Sequence, residues 1–203
     1  MIPGKPQILT CPYCGKKKKI MTLMSGNTFG SVYWSDAKRI ASMLPEISYV
    51  QKCPQCGKYY IKSRQEIVYA KNGCSFERGI LTFPEMKEAY QQLSEEGFLS
   101  MDEERQVRMM LHHAYNDYYY RGDDTKEVID SDFTLFRTNA LWLIKNLIKD
   151  PVLKAEFYRE IGEMDTSQSL LNSLKVEDDF HKNVVDSIQK RIDENDCKVF
   201  IIE

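Results

Sequence analysis

Two copies of one hexapeptide, Cys11-Pro12-Tyr13-Cys14-Gly15-Lys16 and Cys53-Pro54-Gln55-Cys56-Gly57-Lys58, constrain this chain more than any other feature. Two cysteines separated by two residues can turn both sulfurs toward one point. The proline stiffens the turn, and glycine after the second cysteine permits a left-handed backbone that aims nearby amide N–H groups at the sulfurs. Together the pairs supply four thiolates, the number and ligand type of one closed tetrahedral structural Zn2+ site. Such a site keeps no open position for water or substrate. Cys11, Cys14, Cys53 and Cys56 are therefore read as architecture, holding one structural zinc per chain, although thiolate chemistry alone admits iron as well. The run Lys58-Tyr59-Tyr60-Ile61 favours a strand, and Ile20 to Leu23 can finish another, so the expectation is a small β ribbon built around the metal.

The 38 residues between Cys14 and Cys53 exceed what a minimal ribbon needs. Ser25 to Ser31 read as a loop. A short helix is then expected, with Ser35 as N-cap, Pro45 as stop, and Ala37, Ile40, Ala41 and Leu44 on one apolar face. Gly30 is followed by Ser31-Val32, without the lysine of a phosphate-binding loop, so this glycine marks an ordinary turn. Trp34 with Tyr33, Lys38 and Arg39, together with the run Lys16, Lys17, Lys18 and Lys19, has the aromatic and basic chemistry that holds single-stranded nucleic acid. The plainer reading is preferred, in which the aromatics cover a small core and the lysines offset thiolate charge.

Charge is divided along the chain. Residues 1–82 carry 13 Lys and Arg against 4 Asp and Glu, and residues 83–203 carry 15 against 26. A basic half followed by an acidic half points either to an anionic partner or to halves that face each other. No apolar run approaches a membrane span, and the first residues lack the layout of a signal peptide. Four thiolate ligands, with Cys74 and Cys197 left over as small or free thiols, suit a reducing cytoplasmic setting.

From residue 82 onward the pattern is helical. Thr82-x-x-Glu85 and Ser100-x-x-Glu103 fit capping boxes. Val107, Met110, Leu111, Ala114, Tyr115 and Tyr118 form a stripe on the second helix, and Phe133, Phe136, Ala140, Leu143, Ile144 and Leu147 form one on the third. Asp150-Pro151 opens a fourth helix ending at Gly162. Asp165 is expected to cap a fifth, and Phe180, Val184, Ile188 and Ile192 line up on a sixth. The tail Cys197 to Ile202 favours a strand and is expected to pair with an edge of the N-terminal half.

Residues 153–174 resemble a tetratricopeptide repeat: Ala155 and Ser167 fall at the small positions, Tyr158 at the aromatic one, Gly162 at the turn, and Leu171 and Leu174 at later apolar positions. Residues 103–149 look like a second, poorer copy, with Tyr115 where a small residue belongs. Over nearly its whole length the chain is similar to bacterial proteins of unknown function that join an N-terminal zinc ribbon to C-terminal tetratricopeptide-like helices. The resemblance implies an α+β, mostly α fold: a four-cysteine ribbon domain with a helical insertion at 1–80, and tetratricopeptide-like hairpins with a short β-like tail at 81–203. It also implies a groove for a protein or peptide partner.

Enzyme signatures are missing from the sequence. His112 and His113 are adjacent, so they point about 100° apart on a helix. His113 with Asp117 makes only two ligands, so the histidines are read as surface hydrogen-bonding residues. No G-x-S-x-G or H-E-x-x-H motif occurs. The expectation is a non-enzymatic adaptor or scaffold with no small-molecule substrate and no membrane association, the alternative being a nucleic-acid-binding protein acting through the basic half.

Overall fold

The structure, a computed structural model, describes residues 1–73, 75–122, 126–175 and 178–202; the expectation for Cys74 lies outside them. Along the chain run β1 (Ile2–Pro3), β2 (Gln7–Thr10), β3 (Lys17–Ile20), β4 (Leu23–Ser25), β5 (Val32–Trp34), β6 (Arg39–Ile40), β7 (Val50–Lys52), β8 (Tyr59–Ile61) and β9 (Val68–Tyr69). Then follow α1 (Phe83–Glu96), α2 (Met101–Tyr119), α3 (Asp130–Asn146), α4 (Pro151–Glu160), α5 (Met164–Asn172), α6 (Asp179–Asp193) and β10 (Ile201–Ile202). The fold is mixed, with small antiparallel sheets first and six helices after them. These elements form two compact units: residues 1–31 with 40–107, and residues 32–39 with 108–203. The first unit thus runs past residue 80 to include α1, and the second takes eight residues from within the insertion.

In the first unit each cysteine pair is the turn of its own antiparallel hairpin. β2 pairs with β3 from Gln7↔Ile20 to Thr10↔Lys17, and β7 with β8 from Val50↔Ile61 to Lys52↔Tyr59. Period-2 alternation on β3 leaves Lys17 and Lys19 exposed while Ile20 is buried. Leu9, Ile20, Cys11, Cys53 and Tyr60 form a core with Ile47 against it. Phe83, Met86, Ala89 and Leu93 are the buried face of α1, which packs against β8. The expected capping box opens α1, the Thr82 N–H donating to Glu85 Oε2 at 3.1 Å. At Ser100 the box is only half made: Ser100 Oγ accepts from the Glu103 N–H, but the Glu103 carboxylate turns to the Leu99 N–H and to Arg64.

The helix expected over 36–44 does not form. Residues 32–34 and 39–40 are strands, joined by a turn in which the Trp34 N–H donates to Lys38 O at 2.8 Å. Asp36 explains the difference. Its Oδ1 accepts the Lys38 N–H at 3.1 Å, an Asx turn that competes with helix formation, and Ala37 sits in the left-handed region at φ 65°.

In the second unit β10 pairs antiparallel with β5, Ile201 opposite Trp34 and Ile202 opposite Tyr33. The tail therefore finds the N-terminal half at residues 32–34. Asp150 caps α4 with Pro151 at N1, its side chain accepting from the Leu153 N–H at 2.8 Å. α5 begins after Glu163, so Asp165 lies in its first turn and not at its cap. α4 and α5 pack closely where both residues are small: Ser167 is fully buried and its Oγ donates to Ala155 O at 2.7 Å. Ala155, Leu171, Val184, Ile188 and Phe200 form one core cluster of this unit. Phe180, expected in line with it, is exposed near the start of α6. Among the described residues no helix is long and apolar enough to cross a membrane.

Candidate metal centre

The two hairpin turns are near copies of each other. The Cys11 N–H donates to Lys16 O at 2.9 Å and the Gly15 N–H to Cys11 O at 2.9 Å; the Cys53 N–H donates to Lys58 O at 2.8 Å and the Gly57 N–H to Cys53 O at 3.0 Å. Both Gly15 and Gly57 have φ of 72°, where a side chain would be strained. The tight turns bring the four Sγ atoms within 4.8 Å of one another. Cys14 and Cys53 sulfurs are 3.5 Å apart and those of Cys11 and Cys56 3.7 Å, too far for disulfides. For sulfurs at ~2.3 Å from a tetrahedral ion, the S···S edge is about 3.8 Å. The tetrad therefore fits an ion of that size, and its four soft donors leave no coordination position over. Among the described residues it is the one cluster able to hold a metal ion.

The surroundings share out the sulfur charge. Burial pushes the Cys53 thiol up, but the Cys56 and Gln55 N–H groups outweigh it and hold this cysteine at about 6. At Cys14 the largest single influence, the Lys16 N–H, favours thiolate, yet burial and the three other sulfurs push the thiol up to about 12. Four sulfurs without a cation share protons in this way; a bound dication takes their place. Cys11 and Cys53 are buried, and Cys14 and Cys56 are at the surface.

A single side-chain amide ties the two hairpins to α1. Gln92 Nε2 donates to Tyr59 O at 2.8 Å and to the Tyr13 hydroxyl at 3.0 Å, while its Oε1 accepts the Tyr59 N–H at 3.1 Å. Tyr13 in turn donates to Glu96, and Tyr59 to Glu88 at 2.7 Å. Lys52 pairs with Glu85 at 3.0 Å. Glu85, Glu88, Gln92 and Glu96, three or four residues apart on α1, thus anchor both hairpins to the helix. Arg64 completes the unit with a two-pronged bond to Glu103, Nε to Oε1 at 3.1 Å and Nη2 to Oε2 at 2.7 Å.

The residues expected to contact nucleic acid are not brought onto one surface within either unit. Lys16, Lys17 and Lys19 are exposed in the first unit, but Lys18 is largely buried, its Nζ bonding to Lys52 O and Glu77 at 3.1 Å each. In the second unit Lys38 is paired with Asp117, and the Arg121 guanidinium lies over the Trp34 ring, 5.1 Å from its centre. Arg39 is exposed. Lys38 and Trp34 are both half-buried, each already engaged by a neighbour of α2 or its C-terminal end.

His112 is not a surface residue, and His113 is half-buried. His112 is fully buried and stacked between Phe157 and Phe136, ring centres 4.1 and 4.7 Å away. Its Nε2 lies 2.9 Å from Glu160 Oε2 without the alignment of a hydrogen bond. Around this pair the second unit buries Asp36, Asn116, Arg121, Glu156, Arg159 and Glu160. Asn116 Nδ2 donates to Asp36 Oδ2 at 2.9 Å and to Glu160 Oε2 at 3.0 Å. Burial works against ionisation of Asp36, but His113 and the Arg121 guanidinium prevail and hold its carboxyl at about 2. Burial, reinforced by the charge of Asp36, pushes Glu160 up to about 8; burial lowers His112 and His113 to about 4. Sequence spacing carried a trace of this network in His112–Asn116, Asp117–Arg121 and Glu156–Glu160, each one helical turn apart. Asp36 is the member that no local spacing could supply. In comparisons with known proteins, no family model, curated protein or solved structure matches this chain.

Proposed function

We propose that this chain is a non-enzymatic adaptor or scaffold of the cytoplasm: a zinc ribbon joined to tetratricopeptide-like helices that hold a protein or peptide partner. The observation that carries the reading is the closed four-sulfur tetrad formed by two hairpin turns. A reducing compartment keeps such sulfurs in the ligand state, and zinc is the usual ion of all-cysteine structural sites. Cys11, Cys14, Cys53 and Cys56 would hold it, and when bound it would supply folding free energy to a first unit whose core is small. The α4–α5 pair, packed through Ala155 and Ser167, is what a tetratricopeptide hairpin requires of its small positions.

A library of short random peptides and mixed-sequence single- and double-stranded oligonucleotides, titrated with the full chain at several salt concentrations, tests this reading. Peptide binding that changes little with salt is expected. Oligonucleotide binding alone, falling steeply with salt, would transfer the function to the exposed Lys16, Lys17, Lys19 and Arg39.

A further inference from the structure

Residues 32–39 are held in the second unit in the manner of a bound peptide. Their main chain adds a strand to β10 through Trp34↔Ile201 and Tyr33↔Ile202, and the Ser35 N–H donates to Phe200 O at 2.9 Å. The Phe200 N–H donates to Ser35 Oγ at 3.1 Å. One side chain is read in depth. The Asp36 carboxylate is fully buried, paired with Arg121 and bonded to Asn116 Nδ2, while His113 Nε2 lies 3.2 Å from the Asp36 carbonyl oxygen. Apolar burial is confined to half-buried Trp34, whose ring lies beneath the Arg121 guanidinium; Val32, Tyr33 and Ala37 are exposed, and Ser35 and Asp36 are the buried residues of the segment. Strand addition for affinity with a pocket for one side chain is a recurring mode of peptide recognition, and a guanidinium facing a carboxylate gives it selectivity.

The segment is also an imperfect occupant of its seat. Arg121 Nε and Asn116 Oδ1 are buried without a hydrogen-bond partner among the described residues, as is Trp34 Nε1 of the segment itself. Ala37, a non-glycine residue, is left in the left-handed region at φ 65°. On both sides the chain returns at once to the other compact unit, so the segment is an eight-residue excursion.

We propose that the seat of residues 32–39 is a receptor site for an extended peptide bearing a carboxylate, with this chain's own Ser35-Asp36 as the resident occupant. β10 pairs with the peptide main chain, and Arg121 with Asn116 reads the carboxylate. The proposal rests on the adaptor reading and names the ligand class that reading leaves open.

The probe is a fluorescein-labelled peptide with the sequence of residues 32–39, together with a second peptide carrying the Asp36→Asn change, each titrated into the full chain. In the Asp36→Asn full-length variant the resident carboxylate is gone while the shape of the segment is kept. That variant is expected to bind the acidic peptide about tenfold or more tighter than the wild-type chain does, and the amide peptide about tenfold or more weaker than the acidic one. A folded variant with no gain, or one that binds both peptides alike, overturns the proposal. Hydrogen exchange on the unaltered chain decides the matter if the variant does not fold. The Ser35 and Phe200 amides are expected to open locally, exchanging about tenfold faster than those of Leu171 and Ile188. Equal rates would make 32–39 a fixed part of the core and end the proposal. A chain that binds library peptides but shows no Asp36-dependent gain loses this inference alone; one that binds no peptide of either kind loses the adaptor reading too.

Discussion

Glu160 is fully buried, accepts one hydrogen bond from Asn116 at 3.0 Å, and faces the His112 ring at 2.9 Å. Its other oxygen, Oε1, has no partner among the described residues. A carboxyl so placed stays protonated, and its titration has a sign that can be tested. Glu160 lies at about 8 in the fold against 4.5 in a free chain, so between those values the folded state holds the extra proton and stability falls as pH rises. His112 and His113 run the other way, from about 4 in the fold to 6.5 when free, adding stability as pH rises over that range. Above pH 6.5 the histidines contribute no further slope, and Glu160 remains, with Glu156, also raised by burial, leaning the same way. Stability of the second unit is therefore expected to fall by about 2 kcal/mol between pH 6.5 and 8. Glu160→Gln should flatten that fall, as read from urea midpoints across pH; a variant with the wild-type slope would remove Glu160 from the account. His113 with Asp117 makes only two ligands, and that count pointed to surface hydrogen-bonding positions for the histidines. The packing differs from that reading because aromatic rings of α3 and α4 cover His112, while half-buried His113 lies against the Asp36 carbonyl.

At the scale of elements, the cysteine pairs were legible because their chemistry is local. Six residues determine each turn, and the flanking β-favouring residues supply the ladder. Gly57 shows how local: a Cβ there would meet no atom within 4 Å, so the whole cost of Gly57→Ala lies in the left-handed backbone. That cost, about 1–2 kcal/mol, should lower metal affinity roughly tenfold or somewhat more while leaving the ligands in place. Competition with a coloured chelator measures it, and an unchanged affinity would show that the turn does not need its glycine. Caps read equally well where a side chain bonds three residues on, as at Thr82 and Asp150. The helix expected over 36–44 failed for the opposite reason. Its apolar spacing was genuine, but the outcome was decided by a strand partner 167 residues away in sequence, Ile201 opposite Trp34, and by the burial of Asp36. Local periodicity contains neither.

At the scale of the molecule, the basic and acidic halves suggested a boundary near residue 80, yet compactness follows other lines. Residues 32–39 complete the second unit and residues 83–107 complete the first. A fragment of residues 108–203 therefore lacks β5 and the Asp36 carboxylate, leaving Arg121 with Asp117 and Asn116 with Glu160 as their remaining side-chain partners. Without the Asp36–Arg121 ion pair and the β5–β10 strand pairing, this fragment is expected to unfold at a clearly lower urea concentration than the same helices in the full chain. Equal midpoints would mean that the eight-residue segment adds nothing to the unit.

The pairing of β5 with β10 also bears on biosynthesis. At about 5–20 residues per second, a ribosome delivers Ile201 roughly 10–30 s after Trp34 has been made. Throughout that interval β5 is without the strand it is destined to meet, and Asp36 waits on Asn116 and Arg121 from the middle of the message. The cysteine hairpins, by contrast, have both their strands within the first 61 residues and can close early. Nascent chains thus pass through a stage in which one unit is finished while the other holds an open strand edge, the stage at which a chaperone or a neighbouring nascent chain would find it.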